Sequence, residues 1–144
     1  MARRSRAIVS ATMRRVRYRD TSPEMTLRKA LWARGLRYRL HATKLPGKPD
    51  IVFPSRRVAV FVDGDFWHGN QWRLRGLPSL AHQFRETPSA PYWVAKISRN
   101  IQRDAEAGEN LTEMGWRVIR CWESEIKNDV EICVNRVEEA ITGI

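Results

Sequence analysis

Four side chains that can bind a divalent cation or carry a proton lie within LPGKPDIVFPSRRVAVFVDGDFWHGN, residues 45–70. Asp50 precedes one apolar run and Asp63 ends the next, while Asp65 and His68 follow in a loop. If the two runs form a hairpin, the first residue of one strand lies near the last residue of the other. Asp50 and Asp63 could then share one Mg²⁺, which prefers oxygen ligands. Each aspartate alone could be a turn or cap residue, but the combination favours a metal site.

His68 and Glu24 are further candidates for phosphodiester cleavage, which needs an activated water and neutralisation of the developing charge. With an ordinary pKa near 6.5, His68 could accept a proton from water as a general base. A lone histidine is more often a surface or core residue, so the interpretation depends on its position beside the predicted metal. Glu24 either caps a helix or, if that turn faces the sheet edge, holds a metal-bound water.

Phe66 and Trp67 form an aromatic pair in the same glycine-flanked loop. Such a pair often belongs to the core. Beside a cleavage site it could instead enter a base stack and unstack one step, at a cost of a few kcal/mol. The residues alone leave both interpretations open.

The net charge of +10 comes from 26 Lys and Arg against 16 Asp and Glu. Seven arginines and no acidic residue occur in residues 1–19, leaving +3 of the +10 for the rest. A basic arm over residues 1–20 suits a polyanion such as DNA or RNA, although it could also be a solvated tail. Residues 21–144 are predicted to form a single domain.

Hydrophobicity predicts the compartment. No apolar run approaches the roughly 20 residues of a membrane span, and AIV at residues 7–9 is too short for a signal-peptide core. We therefore expect a cytoplasmic protein that makes no use of a membrane. Cys121 and Cys133 lack metal-binding spacing, so we predict reduced, buried thiols.

The elements that must position these residues follow from periodicity. We predict a helix over residues 21–35, a strand or extended entry at 36–41, a hairpin of 50–53 and 58–63, and a strand at 116–123. A helix from Pro91 is expected to break near Gly108, resume, and end at Gly115, and a last helix carries an apolar stripe over 130–141. Residues 64–90 are predicted to form a long, irregular loop. The order predicts an α/β fold, a mixed sheet with helices on its faces.

A known family carries matching segments in the same order: RDTSPE, LPGKPDIV, VAVFVDGDFWHG, YWVAKISRNIQRD and GWRVIRCWE. Through them the chain resembles the very short patch repair (Vsr-type) DNA mismatch endonucleases over about residues 10–125. The resemblance implies a restriction-endonuclease-like fold of the PD-(D/E)xK type and Mg²⁺, with Mn²⁺ as a substitute. It also implies nicking of one strand at a T·G mismatch left by deamination of 5-methylcytosine.

The resemblance also implies roles for residues. Asp50 matches the metal-binding aspartate, Val62 the residue whose carbonyl binds the metal, and His68 the general base. Glu24 matches the acidic residue of the first helix, and Asp63 a position at which members carry His or Asp. Phe66 and Trp67 match the aromatic pair that wedges into the base stack beside the mismatch. Met13 and Trp93 fall near other positions associated with that intercalation. We predict further DNA contacts from the basic arm and the long helix: Arg14, Arg15, Arg17, Arg19, Lys96, Asn100 and Arg103.

The chain departs from the family at the structural zinc that members usually hold with Cys and His. The corresponding places carry Asp65, Asn70, Trp72 and Ser124. None is a thiolate or imidazole, so we predict no structural zinc. We expect packing of Trp72 and Leu74 to hold the loop instead.

Three functions remain open from the sequence. The first is a Mg²⁺-dependent nick at a T·G mismatch, and the second is restriction or nicking of unmismatched DNA by the same catalytic core. The third is a basic nucleic-acid-binding protein without catalysis. For either enzyme the expected partner is double-stranded DNA, with mismatch-repair proteins as further candidates. We expect a monomer associated with the nucleoid.

Overall fold

The computed structural model of the chain describes residues 21–143. The predicted basic arm falls outside the described residues. So do the DNA contacts predicted there: Met13, Arg14, Arg15, Arg17 and Arg19.

The first helix of the described residues, α1, spans Ser22–Ala33, as the capping pattern predicts. The Thr21 hydroxyl accepts a hydrogen bond from the Glu24 N–H at 3.4 Å, which satisfies one of the free donors of the first turn. Leu31 is fully buried on the inner face. Gly35 has φ +82°, a left-handed conformation that suits glycine, and it ends the helix.

A mixed sheet of four strands forms the centre of residues 21–143, in the spatial order β1–β2–β3–β4. Its strands are β1 (Arg39–Leu40), β2 (Ile51–Phe53), β3 (Val58–Asp63) and β4 (Arg117–Trp122). The first two pairings are antiparallel, and β3 pairs with β4 in parallel. The predicted hairpin is confirmed as β2 and β3 around a 3₁₀ turn. The apolar run of β3 is central and covered on both faces.

Four more helices follow within residues 21–143: α2 (Gln71–Leu74), α3 (Leu80–Gln83), α4 (Ala90–Glu113) and α5 (Glu123–Thr142). The two short helices lie in the segment predicted to be irregular. The predicted break near Gly108 is wrong, because α4 continues through it. A helical glycine costs about 1 kcal/mol, and burial of Ala107 and Leu111 on either side offsets that cost.

The helix α5 contains a kink that the sequence pattern did not predict. Asp129 has φ −159° and ψ 92°, so the helical backbone is interrupted there. The Asp129 carboxylate accepts a hydrogen bond from the Glu131 N–H at 3.1 Å, as a helix cap does. The apolar stripe therefore begins again after Asp129.

Helices cover both faces of the sheet, as predicted. On one face α1 and α5 pack in a cluster that includes Leu27, Ile51, Cys121, Val134 and Val137. On the other face α4 packs in a cluster of Val52, Ala59, Phe61 and Leu111. Both cysteines are buried free thiols, as predicted.

The topology brings three chain segments to one end of the sheet. Because β3 and β4 are parallel, their carboxyl ends meet at the same edge. Because β2 is antiparallel to β3, the start of β2 lies there as well. No helix within residues 21–143 is long and apolar enough to cross a membrane.

Candidate active site

A cavity of about 360 Å³ opens at this end of the sheet. Four predicted site residues line it together: Asp50, Val62, Asp63 and His68. Asp104 from α4 and Arg120 from β4 also line the cavity, and neither was assigned a role from the sequence. The structure therefore brings most of the predicted site together and adds an acid and a cation.

Asp50 is held by the hairpin. Its N–H donates to the Val60 carbonyl at 3.1 Å, and its carboxylate accepts from the Val62 N–H at 2.8 Å. Burial, together with the charges of Glu24 and Asp63 and against the opposing Val62 hydrogen bond, raises the Asp50 pKa to about 6. Because acidic oxygens crowd around Asp50, a divalent cation with oxygen ligands fits this position.

Glu24 lies in the first turn of α1 and is 1% exposed. Its carboxylate lies 3.3 Å from the Arg28 guanidinium and 3.1 Å from Nε2 of His41. Of this described pair, His41 lines the cavity wall and Glu24 does not. Glu24 therefore acts on Asp50 through its charge, from behind that wall.

His68 and Asp104 form a hydrogen-bonded dyad. Nδ1 of His68 lies 2.5 Å from an Asp104 carboxylate oxygen. Since an ionised carboxylate only accepts, Nδ1 carries the proton and Nε2 is the basic nitrogen. Burial lowers the His68 pKa, but the Asp104 hydrogen bond and the charges of Asp63 and Asp104 outweigh burial, so the pKa lies above its ordinary value. This dyad has the arrangement of a general base and the acid that orients it.

Asp63 has an arginine partner. Both carboxylate oxygens accept from Nη1 of Arg120, at 3.1 and 3.0 Å. Nη2 of the same guanidinium donates to the main-chain carbonyl of Asp104 at 3.2 Å, and the group lies 4.1 Å from the centre of the Phe61 ring. Burial raises the Asp63 pKa, although His68 and Arg120 oppose the shift. Asp63 on β3 is therefore linked to β4 by Arg120, and Arg120 in turn contacts α4.

Asp63, His68 and Asp104 also have the spacing of a metal site. One ligand atom from each lies within 4.8 Å of the others. On distance alone, this group and the Asp50 carboxylate are both candidates for a divalent cation.

Aromatic side chains form a surface cluster beside the cavity. Phe66 lies 5.1 Å from Trp67 and 5.5 Å from Trp93 between ring centres. Trp67 is 43% exposed, and Asn100 donates to its main-chain carbonyl at 3.0 Å. The predicted Phe66, Trp67, Trp93 and Asn100 thus lie together, and Phe66 and Trp67 directly precede His68 in the chain. The side chains of Lys96 and Arg103 are exposed on the same helix, α4.

A hydrogen-bonded clamp holds the loop after β3. Asp65 oxygens accept from the Ser124 N–H at 3.0 Å, the Ser124 hydroxyl at 2.7 Å and the Asn70 amide at 2.9 Å. The expectation that Leu74 packs the loop is wrong, because Leu74 is 57% exposed. Trp72 is partly buried, with the Arg73 guanidinium 4.9 Å from its ring centre. The loop is therefore held by polar contacts of Asp65, Asn70 and Ser124, which stand where family members usually carry zinc ligands.

Two signals in the sequence could have identified Asp104 and Arg120. Asp104 lies seven residues after Ile97 and seven before Leu111, both fully buried, so it is an acid on an apolar helical stripe. Arg120 interrupts an inward-facing row of β4 that includes Val118. A charged residue at either kind of position needs a partner.

Comparisons with known proteins agree with this geometry. A sequence model of the family described as DNA mismatch endonuclease Vsr matches residues 3–74. The type II nicking enzyme V.NmeDIP of Neisseria meningitidis serogroup C is 41% identical over 85% of this chain and 78% of its own length. V.NaeI of Lentzea aerocolonigenes, also named a type II nicking enzyme, is 41% identical over 87% of this chain and 73% of its own length.

The DNA mismatch endonuclease Vsr of Escherichia coli K12 is 34% identical over 96% of this chain and 86% of its own length. The mixed sheet flanked by helices agrees with the restriction-endonuclease-like fold of this family. We conclude that the chain belongs to the Vsr family of DNA endonucleases.

Proposed function

We propose that the protein is a Mg²⁺-dependent endonuclease that nicks one strand of duplex DNA at a T·G mismatch, in very short patch repair of deaminated 5-methylcytosine. One observation carries the proposal: Asp50 and the His68–Asp104 dyad line one cavity, and a partly exposed aromatic cluster lies next to it. The groups proposed for hydrolysis thus lie next to the groups proposed to recognise a distorted base pair.

Asp50 and the main-chain carbonyl of Val62 are the groups that would hold Mg²⁺. The raised pKa of Asp50 supports this choice, because burial and neighbouring acids disfavour its charge in the absence of a cation. Bound there, Mg²⁺ would neutralise charge on the scissile phosphate and lower the pKa of the attacking water. Mn²⁺ also accepts carboxylate and carbonyl oxygens and should substitute.

His68 supplies the base in this proposal. Its Nε2 accepts the proton of the attacking water while Nδ1–H stays hydrogen-bonded to Asp104. The carboxylate holds the ring in one tautomer and stabilises the imidazolium that forms. General-base catalysis of this kind contributes roughly 10²–10⁴ in rate.

Phe66 and Trp67 supply the mismatch preference. Inserting aromatic side chains between bases costs a few kcal/mol of stacking, and a mismatched base pair costs least to open. Phe66 also contacts Phe84 and Trp93, with ring centres 5.9 and 5.5 Å away, so the wedge is supported from behind. Exposed cations on α4, Lys96 and Arg103, are available for phosphates.

Nicking of fully paired DNA is the second candidate. The names of the relatives favour it, because three of those at 41–42% identity are called type II nicking enzymes, whereas the relative named a mismatch endonuclease is 34% identical. Under this candidate the catalytic residues keep their roles and the aromatic cluster has another use.

Two labelled duplexes separate the candidates. One carries a T·G pair in a CTWGG-like context and the other is fully paired, and both are incubated with Mg²⁺ and the protein. Cutting of the mismatched duplex alone supports the first candidate, and equal cutting supports the second. Asp50→Ala should abolish cutting while preserving binding, since one repulsive carboxylate is removed. Binding without any cutting by the wild-type protein would leave only the non-catalytic alternative.

A further inference from the structure

Two groups of acidic residues share the cavity, and they differ in how their charge is compensated. Asp50 receives one main-chain N–H and has acidic neighbours. Asp63 instead receives two hydrogen bonds from Nη1 of Arg120, and the same nitrogen lies 3.6 Å from an Asp104 oxygen. A fixed cation therefore already lies between two of the three groups that have metal-site spacing.

The position of Arg120 is well determined by its surroundings. Its guanidinium contacts Asp63 on β3, the Asp104 carbonyl on α4 and the face of the Phe61 ring. Because the guanidinium uses several donors at once in charge-assisted contacts, it is held in one position more firmly than a mobile cation would be. A divalent ion at Asp63 and Asp104 would have to displace this group or lie beside it against like charge.

We propose that the guanidinium of Arg120 takes the cation position of the Asp63–His68–Asp104 group, so that divalent metal binding is confined to the Asp50 side of the cavity. The inference rests on the proposed metal site at Asp50 and adds a role for Arg120. Arg120 is thus a positioning residue that keeps His68 and Asp104 in a proton-transfer pair.

This arrangement protects the base. A metal ion at the three-residue group would use a lone pair of the imidazole and would compete with His68 for Asp104. A metal-bound imidazole must be deprotonated at its ligating nitrogen, and binding releases protons. His68 could then no longer exchange a proton with water in the same way. An arginine in the cation position compensates part of the charge of the two carboxylates without taking an imidazole nitrogen, since guanidinium only donates hydrogen bonds.

The inference predicts that loss of Arg120 creates a metal site. Arg120→Met keeps much of the side-chain length and packing on Phe61 but removes the charge. In this variant Asp63, His68 and Asp104 become available to a divalent ion, with a dissociation constant of about 10⁻⁴–10⁻³ M, the range of weak extracellular Ca²⁺ sites. Arg120→Lys keeps a charge and should gain no such site.

The test measures Mn²⁺ binding to the full chain without DNA. Binding is detected as a loss of the electron paramagnetic resonance signal of free Mn²⁺. Asp50→Ala alone should remove binding. The double variant Asp50→Ala with Arg120→Met should bind Mn²⁺ again, and adding Asp63→Asn should abolish this regained binding. Arg34→Met in the Asp50→Ala background is the matched control, because Arg34 also lies between two carboxylates, Glu131 and Glu138 at 2.6 and 3.6 Å, but outside the cavity lining.

Two outcomes overturn the inference. One is an Asp50→Ala variant that still binds Mn²⁺ and loses this binding when Asp63→Asn is added. This outcome needs no Arg120 variant, so it can be observed even if Arg120→Met fails to fold. The other is a folded double variant, judged by circular dichroism, that binds no Mn²⁺. Failure of the wild-type protein to nick any duplex would reject the proposed function but would leave these binding results, and the role of Arg120, unaffected.

Discussion

At the scale of single residues, the base assignment rests on the position of His68 in the cavity. We expect His68→Ala to slow nicking by roughly 10² or more, which is the usual worth of a general base. Single-turnover nicking of the preferred duplex is the measurement. His82→Ala is the matched control, because His82 is an exposed histidine on α3 that hydrogen-bonds Ser79. Wild-type nicking by His68→Ala would show that another group accepts the proton.

The His68–Asp104 hydrogen bond predicts a pH signature. Burial lowers the His68 pKa, but the Asp104 hydrogen bond together with the charges of Asp63 and Asp104 raises it above its ordinary value, so protonated His68 persists to higher pH than an ordinary histidine. A general base works when unprotonated, so the rate should rise with pH through this raised pKa. Asp104→Asn removes the negative charge, lowers the His68 pKa, and should shift the rising limb to lower pH. An unshifted limb in the pH–rate profile of the variant would assign the limb to another group.

The raised pKa of Asp50 predicts that the carboxylate proposed to bind metal destabilises the folded protein when no metal is bound. Its pKa is near 6 in the folded protein against about 3.8 ordinarily, so the folded state binds the proton more tightly than the unfolded chain. Without metal, stability should therefore fall as pH rises from about 3.8 to about 6. At neutral pH in EDTA, Asp50→Asn should be more stable by the order of 1–3 kcal/mol.

Thermal or urea unfolding across this pH range measures the effect. The difference between Asp50→Asn and wild type should vanish below the lower pKa and should narrow when Mn²⁺ is added, since metal stabilises only the folded wild type. An Asp50→Asn variant that is less stable than wild type in EDTA at neutral pH would contradict the argument.

At the scale of elements, the Asp65 clamp joins the loop after β3 to the junction between β4 and α5. Hydrogen bonds to a charged acceptor are worth about 1.5–3 kcal/mol each, less when solvent reaches them. Asp65→Ala removes three such acceptor contacts. We expect a loss of about 2 kcal/mol or more in unfolding free energy, together with slower nicking, because His68 lies in the same loop.

Hydrogen exchange separates this local effect from a general loss of stability. In Asp65→Ala, amides of residues 64–74 should exchange faster than those of the central strand β3. Ser55→Ala, in the exposed 3₁₀ turn at the other end of the hairpin, is the control and should change neither. Equal acceleration over the whole chain would mean that the clamp does not hold this loop in particular.

The elements also explain how far the sequence could be interpreted. Asp50 and Asp63 were predictable because a hairpin is local and its ends must meet. Arg120 lies 57 positions from Asp63, and Ser124 lies 59 from Asp65. Those pairings depend on the parallel register of β3 and β4, which periodicity does not encode. The continuity of α4 through Gly108 likewise depends on burial against the sheet rather than on helix propensity.

At the scale of the whole molecule, charge is divided between two regions with opposite tasks. The cavity wall carries three carboxylates, which repel phosphate, against the two cations Lys48 and Arg120, while the net charge of the chain is +10 and residues 1–19 contain seven arginines. Long-range attraction must therefore come from cations outside the cavity. This division predicts that binding and cleavage respond separately to charge changes in the two regions.

The salt dependence of DNA binding tests the arm. Each phosphate neutralised contributes about −0.9 to the slope of log K against log salt. Replacing the four predicted arm contacts by alanine should make the slope shallower by up to about 3.6 if each neutralises one phosphate; these are Arg14, Arg15, Arg17 and Arg19. Nicking at saturating protein should change little, because the cavity residues are intact.

A control variant must carry the same change in net charge, so that general attraction and direct contact are distinguished. Four exposed cations on α1, on α5 and after α1 serve this purpose: Lys29, Arg34, Arg37 and Lys127. Their replacement lowers the overall field equally but removes no predicted phosphate contact, so the slope should stay close to wild type. An equal loss of slope in both variants would mean that the arm acts only through net charge, and the predicted contacts at residues 14–19 would then be wrong.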